Sequence, residues 1–238
     1  MRVAQHPLPL QLPQQFTHDG WVNHEGVTAA CARLALWAVA GGMVWLRSTT
    51  VAGKSHLLHA LAIEQTDRAL LTVHADLDAD SQQQSGGWLI QLDGHHWWLV
   101  DVAAGGLNHA SQLALFHLIE RAKQQAHPLV IAWRCDDAAI SCPELRSRLR
   151  SFSQVEMSPP QDDTALLMVM QAELACMQWQ LNAAVQRYLL RHTPRRLDLL
   201  LCTVHQLQLQ SIARKMRPSL LNVRALLQAD IAAGDSPS

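Results

Sequence analysis

The chain of 238 residues is long enough for one large domain or for a core with a small second domain, and 49% of its residues are hydrophobic. A formal net charge of -1 argues against a protein that coats nucleic acid through bulk charge. The five cysteines are an odd number without zinc-ligand spacing, which indicates a reducing cytosol. Prolines stand where a signal peptide needs an apolar segment, and no apolar run could cross a bilayer, so we expect a cytoplasmic protein.

The N-terminal residues 1–20 are rich in proline and glutamine, which disfavours a helix and favours extended conformations. Composition alone predicts a disordered tail. Leu8 and Leu10 are nevertheless apolar residues with no predicted core nearby, and extended peptides with a few apolar anchors are a common recognition mode. Both interpretations stay open at this point.

After a predicted helix at Val27–Ala40, the chain has the order of elements that a phosphate cradle requires. An apolar strand at 43–46 precedes Ser48-Thr49-Thr50-Val51-Ala52-Gly53-Lys54-Ser55, and helical spacing starts near Leu57. Backbone N–H groups at the helix start would face the anion, the lysine would reach the outer phosphates, and the Ser55 hydroxyl would face Mg²⁺. The pattern has glycine where Ser48 stands, so the alternative is an ordinary strand–helix turn.

The following segment contains a second predicted strand at 69–74, a polar connector at Asp76–Gly87, and an apolar piece at 88–92 of undetermined type. The apolar run 96–100 then ends in Asp101. Ligands of parallel sheets bind at the carboxyl ends of strands, so Asp101 is predicted beside the phosphate loop, where it could hold the Mg²⁺ shell through water. The alternative is an acidic residue that begins a surface loop.

Helical periodicity at 107–125, an apolar strand at 129–133, an arginine-rich segment at 144–150 and a possible strand near Val155 complete the first part of the chain. Strands that alternate with helices predict a right-handed, mostly parallel α/β sheet.

Beyond Ser158-Pro159-Pro160 the sequence predicts only helices, at Asp163–Gln178, Leu181–His192, Pro194–Lys215 and Ser219–Gln228. Between residues 187 and 224 this small domain is basic, and Asp198 is its only acidic residue there. A solvated face, a lid that closes on phosphates and a surface for a polyanion are the open interpretations.

This order of motifs resembles the AAA+ ATPases and, within them, the DnaA-related family with its short regulatory inactivators of the Hda type. The resemblance runs from about residue 5 to residue 228. It is carried by Ser48–Ala60, by Leu99-Val100-Asp101, by Leu145-Arg146-Ser147-Arg148-Leu149, by Arg187-Tyr188-Leu189-Leu190-Arg191 and by Thr203-Val204-His205-Gln206-Leu207.

The resemblance implies an α/β fold, an AAA+ P-loop core with a parallel five-stranded sheet plus a small all-α lid domain. The implied domains are an extended clamp-binding tail at 1–20, the nucleotide-binding domain at 21–158 and the lid at 159–238. The implied ligands are ADP (or ATP) and Mg²⁺, with Ser55 and Asp101 on the metal. The implied nucleotide-binding residues are Val51, Ala52, Gly53, Lys54, Ser55, His56, Asp101 and Arg195.

Inactivators of this family bind the DNA polymerase III sliding clamp and stimulate ATP hydrolysis by DnaA, which prevents re-initiation. By resemblance, Gln5 would fill a polar subsite of the clamp, and Leu8 and Leu10 its apolar pocket. Arg148 stands at the position of the arginine finger that acts in trans, with Arg146 and Arg150 as alternatives. The sequence ends shortly after the lid, without room for the helix-turn-helix domain of an initiator, so we expect DNA contact to be indirect or weak.

Three departures from the family pattern predict little hydrolysis by the protein itself. Val102 follows Asp101 where active ATPases have a second acid, and strand 130–133 lacks a polar sensor. Asp198 occupies the position of the lid arginine, for which Arg195 or Arg196 could compensate. The alternatives are an active AAA+ ATPase or loader and a nucleotide-free interaction module. A homodimer is plausible because AAA+ sites usually form between subunits, and no membrane partner is expected.

Overall fold

Five short strands form one parallel sheet in the computed structural model, which describes residues 20–75, 79–104, 106–214, 218–221 and 223–224. The strands are β1 Met43–Ser48, β2 Arg68–Val73, β3 Trp97–Val102, β4 Leu129–Arg134 and β5 Ser153–Glu156. Their order across the sheet is β2-β3-β4-β1-β5, and every neighbouring pair is parallel. The predicted α/β class with a five-stranded parallel sheet is therefore confirmed.

Five helices cover the two faces of this sheet: α1 Glu25–Ala40, α2 Lys54–Glu64, α3 Ser81–Leu92, α4 His109–Gln124 and α5 Pro143–Arg150. Side chains alternate along β1, so that Val44 and Leu46 pack with α1 and α2, while Trp45 packs with α3, α4 and α5. Burial on both faces explains why the central strands are continuous apolar runs.

The prediction of a polar connector at Asp76–Gly87 is wrong, because most of the described part of this segment lies in α3. The Asp80 carboxylate caps this helix and accepts hydrogen bonds from the backbone N–H groups of Gln82 and Gln83 at 2.9 and 2.8 Å. The apolar piece at 88–92 is the second half of the same helix, and Trp88 and Leu92 anchor it in the core. Packing of two large side chains thus offsets the weak helix propensity of a segment with two adjacent glycines.

The chain divides into two compact units between Pro160 and Gln161, and all five strands belong to the first. The second unit contains α6 Asp163–Cys176, α7 Ala183–His192 and α8 Leu197–Arg214, and α6 packs against both other helices. The helix predicted at 219–228 falls mostly outside the described residues. Among the described residues, no helix combines the length and the apolar character needed to span a membrane.

Candidate functional site

Polar side chains meet where β1, β3 and β4 end at the same edge of the sheet. Ser48, the last residue of β1, is paired in register with Arg134, the last residue of β4. Asp101 lies near the end of β3 and pairs with Ala132 of β4. The carboxyl ends of parallel strands are where ligands of α/β proteins bind, so this edge is the candidate site.

The loop between β1 and α2 has the backbone geometry of a phosphate cradle. Gly53 caps α2 in a left-handed conformation with a φ of 78°, which strains any residue with a side chain. A Cβ atom at this position would also lie 3.3 Å from the Trp21 ring. Among the described residues, no side chain caps the N-terminus of α2. The backbone N–H groups of its first turn therefore suit an anion.

Lys54 is buried inside this loop, with 7% of its surface exposed. Its ammonium group donates a hydrogen bond to the Ser48 hydroxyl, which in turn donates to the Thr50 carbonyl oxygen at 2.6 Å. Burial lowers the Lys54 pKa to about 8, although the charge of Asp101 opposes this shift. Ser48, which stands where the pattern has glycine, thus provides an acceptor for the buried ammonium.

The lowered Lys54 pKa predicts that nucleotide binding weakens in alkaline solution. Phosphates next to Lys54 favour its charged form, so the complex takes up a proton wherever the free protein has lost one. Below about pH 8 the lysine is charged in both states, and above it the affinity should fall by up to roughly tenfold per pH unit. Calorimetric titration with ADP between about pH 7 and about pH 9.5 measures this change.

The matched control is Lys54→Arg, whose guanidinium stays charged throughout this range. An ADP affinity that falls equally in this variant would assign the pH dependence to another group.

Asp101 provides the carboxylate of the site. It is 5% exposed, and burial raises its pKa, whereas a hydrogen bond from the Ser55 hydroxyl and the charges of His59, Lys54 and His74 oppose the increase. Hydroxyl and carboxylate oxygens are the hard donors that Mg²⁺ prefers, so Ser55 and Asp101 fit this ion. No group of three or more His, Cys, Asp or Glu side chains within the described ranges could hold a metal by itself. Phosphate oxygens and water would therefore have to complete the shell.

Sequence reasoning missed two residues at this site, Trp21 and Arg134. The Trp21 ring stands edge-on to His56, with their centroids 5.5 Å apart, and occupies the space that a side chain at Gly53 would enter. Arg134 lies close enough to Lys54 to lower its pKa further. The available signal for Arg134 was its place directly after the apolar strand predicted at 129–133. Trp21 gave no signal, since it precedes the first helix and reaches the loop only in the folded chain.

The arginines of α5 lie on a different part of the first unit. Leu145 and Leu149 anchor α5 in the cluster with α3 and α4, whereas α2 packs on the opposite face of the sheet. The Arg148 Nε atom lies 2.6 Å from Glu120 Oε1, and Nη2 donates to Oε2 at 3.3 Å. The structure therefore does not bring Arg148 together with Lys54, because the sheet separates their helices.

The two alternative arginines have other partners. Arg146 Nη2 donates a hydrogen bond to the Ile140 carbonyl oxygen. Arg150 is paired with Asp137 at 3.3 Å, and the same carboxylate binds Arg47 at 2.8 Å.

In the second unit, the candidate lid arginines form ion pairs. Arg195 Nη2 lies 3.0 Å from Asp163 Oδ1, and Arg196 Nη2 lies 2.6 Å from Asp198 Oδ2. The hydrogen bond from Arg196 lowers the pKa of Asp198, so this carboxylate neutralises the neighbouring guanidinium. The predicted clamp-binding residues lie outside the described residues; they are Gln5, Leu8 and Leu10.

No known family model matches the chain. It is similar to domain III of the Thermotoga maritima replication initiation protein DnaA, with a TM-score of 0.71 and 16% identity over 90% of this chain and 96% of that one. It is also similar to AMPPCP-bound DnaA from Aquifex aeolicus, with a TM-score of 0.60 and 14% identity over 84% and 67%. The Thermotoga maritima RuvB Holliday junction branch migration motor gives a TM-score of 0.65 and 18% identity over 91% and 72%. The chain therefore has the α/β fold of the AAA+ domains of DnaA and RuvB.

Proposed function

We propose that this protein is a DnaA-related, Hda-type regulator of replication initiation. It binds ADP and the DNA polymerase sliding clamp, and it stimulates hydrolysis of the ATP held by DnaA, which prevents re-initiation. The observation that supports this most directly is that α5, which carries Arg148, packs on the opposite face of the sheet from α2, which begins at Lys54. A finger placed there serves the nucleotide of another molecule.

The cradle suits binding better than hydrolysis. Lys54 would neutralise the outer phosphates, and Ser55 and Asp101 would hold Mg²⁺, which shields the phosphate charge when it is bound. The residue after Asp101 is Val102, which is buried in the core and cannot polarise an attacking water. The site therefore retains groups for holding ADP and lacks the second acid of an active ATPase.

Arg148 would act on the ATP of DnaA in trans. In phosphoryl transfer, an arginine from a partner neutralises the charge that develops on the transferring group. Its side chain is 41% exposed at the end of α5, so a partner can reach it.

The sliding clamp is expected to bind the N-terminal segment. Gln5, Leu8 and Leu10 are proposed as its contacts because their order is similar to that of the clamp-binding peptide of the inactivators. An extended peptide with two apolar anchors keeps its core domain free to meet a second partner.

Pull-down with the sliding clamp, with and without ADP, tests the proposal. We expect Leu8→Ala/Leu10→Ala to weaken binding by roughly 100-fold, because each lost anchor costs about 1–2 kcal/mol. Leu12→Ala is the matched control, since it removes a leucine just outside the motif. Normal binding by the double variant, or an equal loss in Leu12→Ala, would contradict the tail assignment.

The second candidate is a nucleotide-free interaction module. The contact between Lys54 and Ser48 favours it, because the ammonium already has an internal partner. Titration with ADP distinguishes the two functions, because only the nucleotide-binding regulator should bind ADP.

A further inference from the structure

Arg148 is held by a carboxylate from the neighbouring helix. Glu120 is in α4, and its Oε1 atom lies 2.6 Å from Arg148 Nε, while its Oε2 atom accepts a hydrogen bond from Nη2 at 3.3 Å. Nε and Oε1 are both buried, but neither has a hydrogen-bond partner among the described residues, so the pair is an ion pair with one hydrogen bond, from Nη2 to Oε2. The side chains are 41% and 29% exposed. The inner edge of the guanidinium is thus covered and its outer end is open.

This geometry divides the guanidinium into two edges. Nε and Nη2 lie on the side of Glu120, and among the residues that the structure describes no second partner binds the Arg148 guanidinium. The N–H groups of Nη1 and the outer one of Nη2 remain available as donors. Guanidinium groups bind phosphate through such an edge in a bidentate manner. A contact that blocked the finger would cover this outer edge, and Glu120 does not.

The two helices make a firm base for the contact. α4 and α5 pack against each other, and α5 is fixed by buried Leu145 and Leu149. A free arginine side chain samples many rotamers, so a second group that fixes one of them reduces the entropy lost when phosphate binds.

We propose that Glu120 is a positioning residue that orients Arg148 toward the phosphates of a partner-bound nucleotide. This inference rests on the proposed function, since it assigns how the finger of that function is held. The carboxylate also neutralises the guanidinium at long range, so the finger attracts phosphate mainly through direct hydrogen bonds at close range. Glu120 would therefore affect the rate within the assembled complex and leave complex formation nearly unchanged.

The test is stimulation of ATP hydrolysis by ATP-loaded DnaA on clamp-loaded DNA, measured over a range of concentrations of this protein. We expect Glu120→Ala to lower the maximal rate by between about tenfold and about 100-fold, with less than about a twofold change in the half-saturating concentration. Glu120→Asp should retain more activity than Glu120→Ala. A maximal rate that is unchanged or higher in Glu120→Ala would overturn the inference, the latter by showing that Glu120 restrains the finger.

Asp137→Ala is the matched control, because it breaks the ion pairs of Arg150 and Arg47 without touching Arg148. Stimulation should be unaffected in Asp137→Ala, and a loss of stimulation in Asp137→Ala with none in Glu120→Ala would refute the assignment.

Arg148→Ala in the same assay distinguishes failure of the proposed function from failure of the positioning role. If Arg148→Ala stimulates normally, both the arginine finger and the positioning role of Glu120 are contradicted. If Arg148→Ala loses stimulation but Glu120→Ala does not, only the positioning role of Glu120 is contradicted. The Arg148 guanidinium signals in the nuclear magnetic resonance spectrum should shift in Glu120→Ala, because the hydrogen bond from Nη2 is lost.

Discussion

Replacing Arg148 with alanine is expected to reduce the stimulated hydrolysis of DnaA-bound ATP by roughly 1,000-fold or more, the scale of an arginine finger. Binding of ADP and of the clamp should stay unchanged, because Arg148 is partly exposed and its helix packs on the opposite face of the sheet from α2. Single-turnover hydrolysis of ATP preloaded on DnaA, in the presence of clamp-loaded DNA, measures the effect.

Arg150→Ala is the control for this variant. It removes the same charge two residues away, from a side chain that is 60% exposed and paired with Asp137. Arg148→Lys tests geometry separately, because lysine retains the charge and loses the planar edge. Equal losses in Arg148→Ala and Arg150→Ala would indicate a general basic surface and would contradict a single finger.

The second large effect is expected at the phosphate loop, where Lys54→Ala should weaken ADP binding by at least about 100-fold. The lost ammonium makes charge-assisted hydrogen bonds to phosphate, each worth about 1.5–3 kcal/mol. The thermal stabilisation that ADP gives the wild-type protein should disappear, since only a ligand that binds the folded state raises stability. Calorimetry and thermal unfolding with and without ADP measure both changes.

The unliganded Lys54→Ala protein is expected to unfold at a temperature no lower than the wild type. Burial disfavours the charged lysine and lowers its pKa, so removing the ammonium relieves an unfavourable group below about pH 8. Absence of both heat and thermal shift with the wild type would favour the nucleotide-free module. Sustained ATP turnover by the wild type that is lost in Lys54→Ala would instead favour an active ATPase.

Sequence patterns predicted most elements of the fold because their signals are local. The strand at 43–46, the glycine-bearing loop and the helix after it are consecutive, and the structure confirms them as β1 and α2. The pattern failed at α3, where a polar segment with two glycines becomes helical. Its stability depends on the Asp80 cap and on the burial of Trp88 and Leu92, and burial depends on the rest of the fold.

The candidate site shows the same division. Asp101 could be placed beside the phosphate loop from sequence, because parallel strands bring their carboxyl ends to one edge. The same rule applies to Arg134 at the end of β4, but only the register shows that it lies opposite Ser48. Trp21 was also beyond sequence reasoning, since its ring contact with His56 joins residues from separate parts of the chain.

The sequence by itself determined the strand–loop–helix cradle, the alternation of strands and helices and the change to helices after Pro160, because hydrogen bonding along the backbone and side-chain periodicity act over a few residues. Only the tertiary structure decided that Lys54 donates a hydrogen bond to Ser48 and that Glu120 forms an ion pair with Arg148. The physical reason is that both contacts depend on how separate elements are packed. Glu120 and Arg148 are 28 residues apart in the chain, and they meet because α4 and α5 share one core.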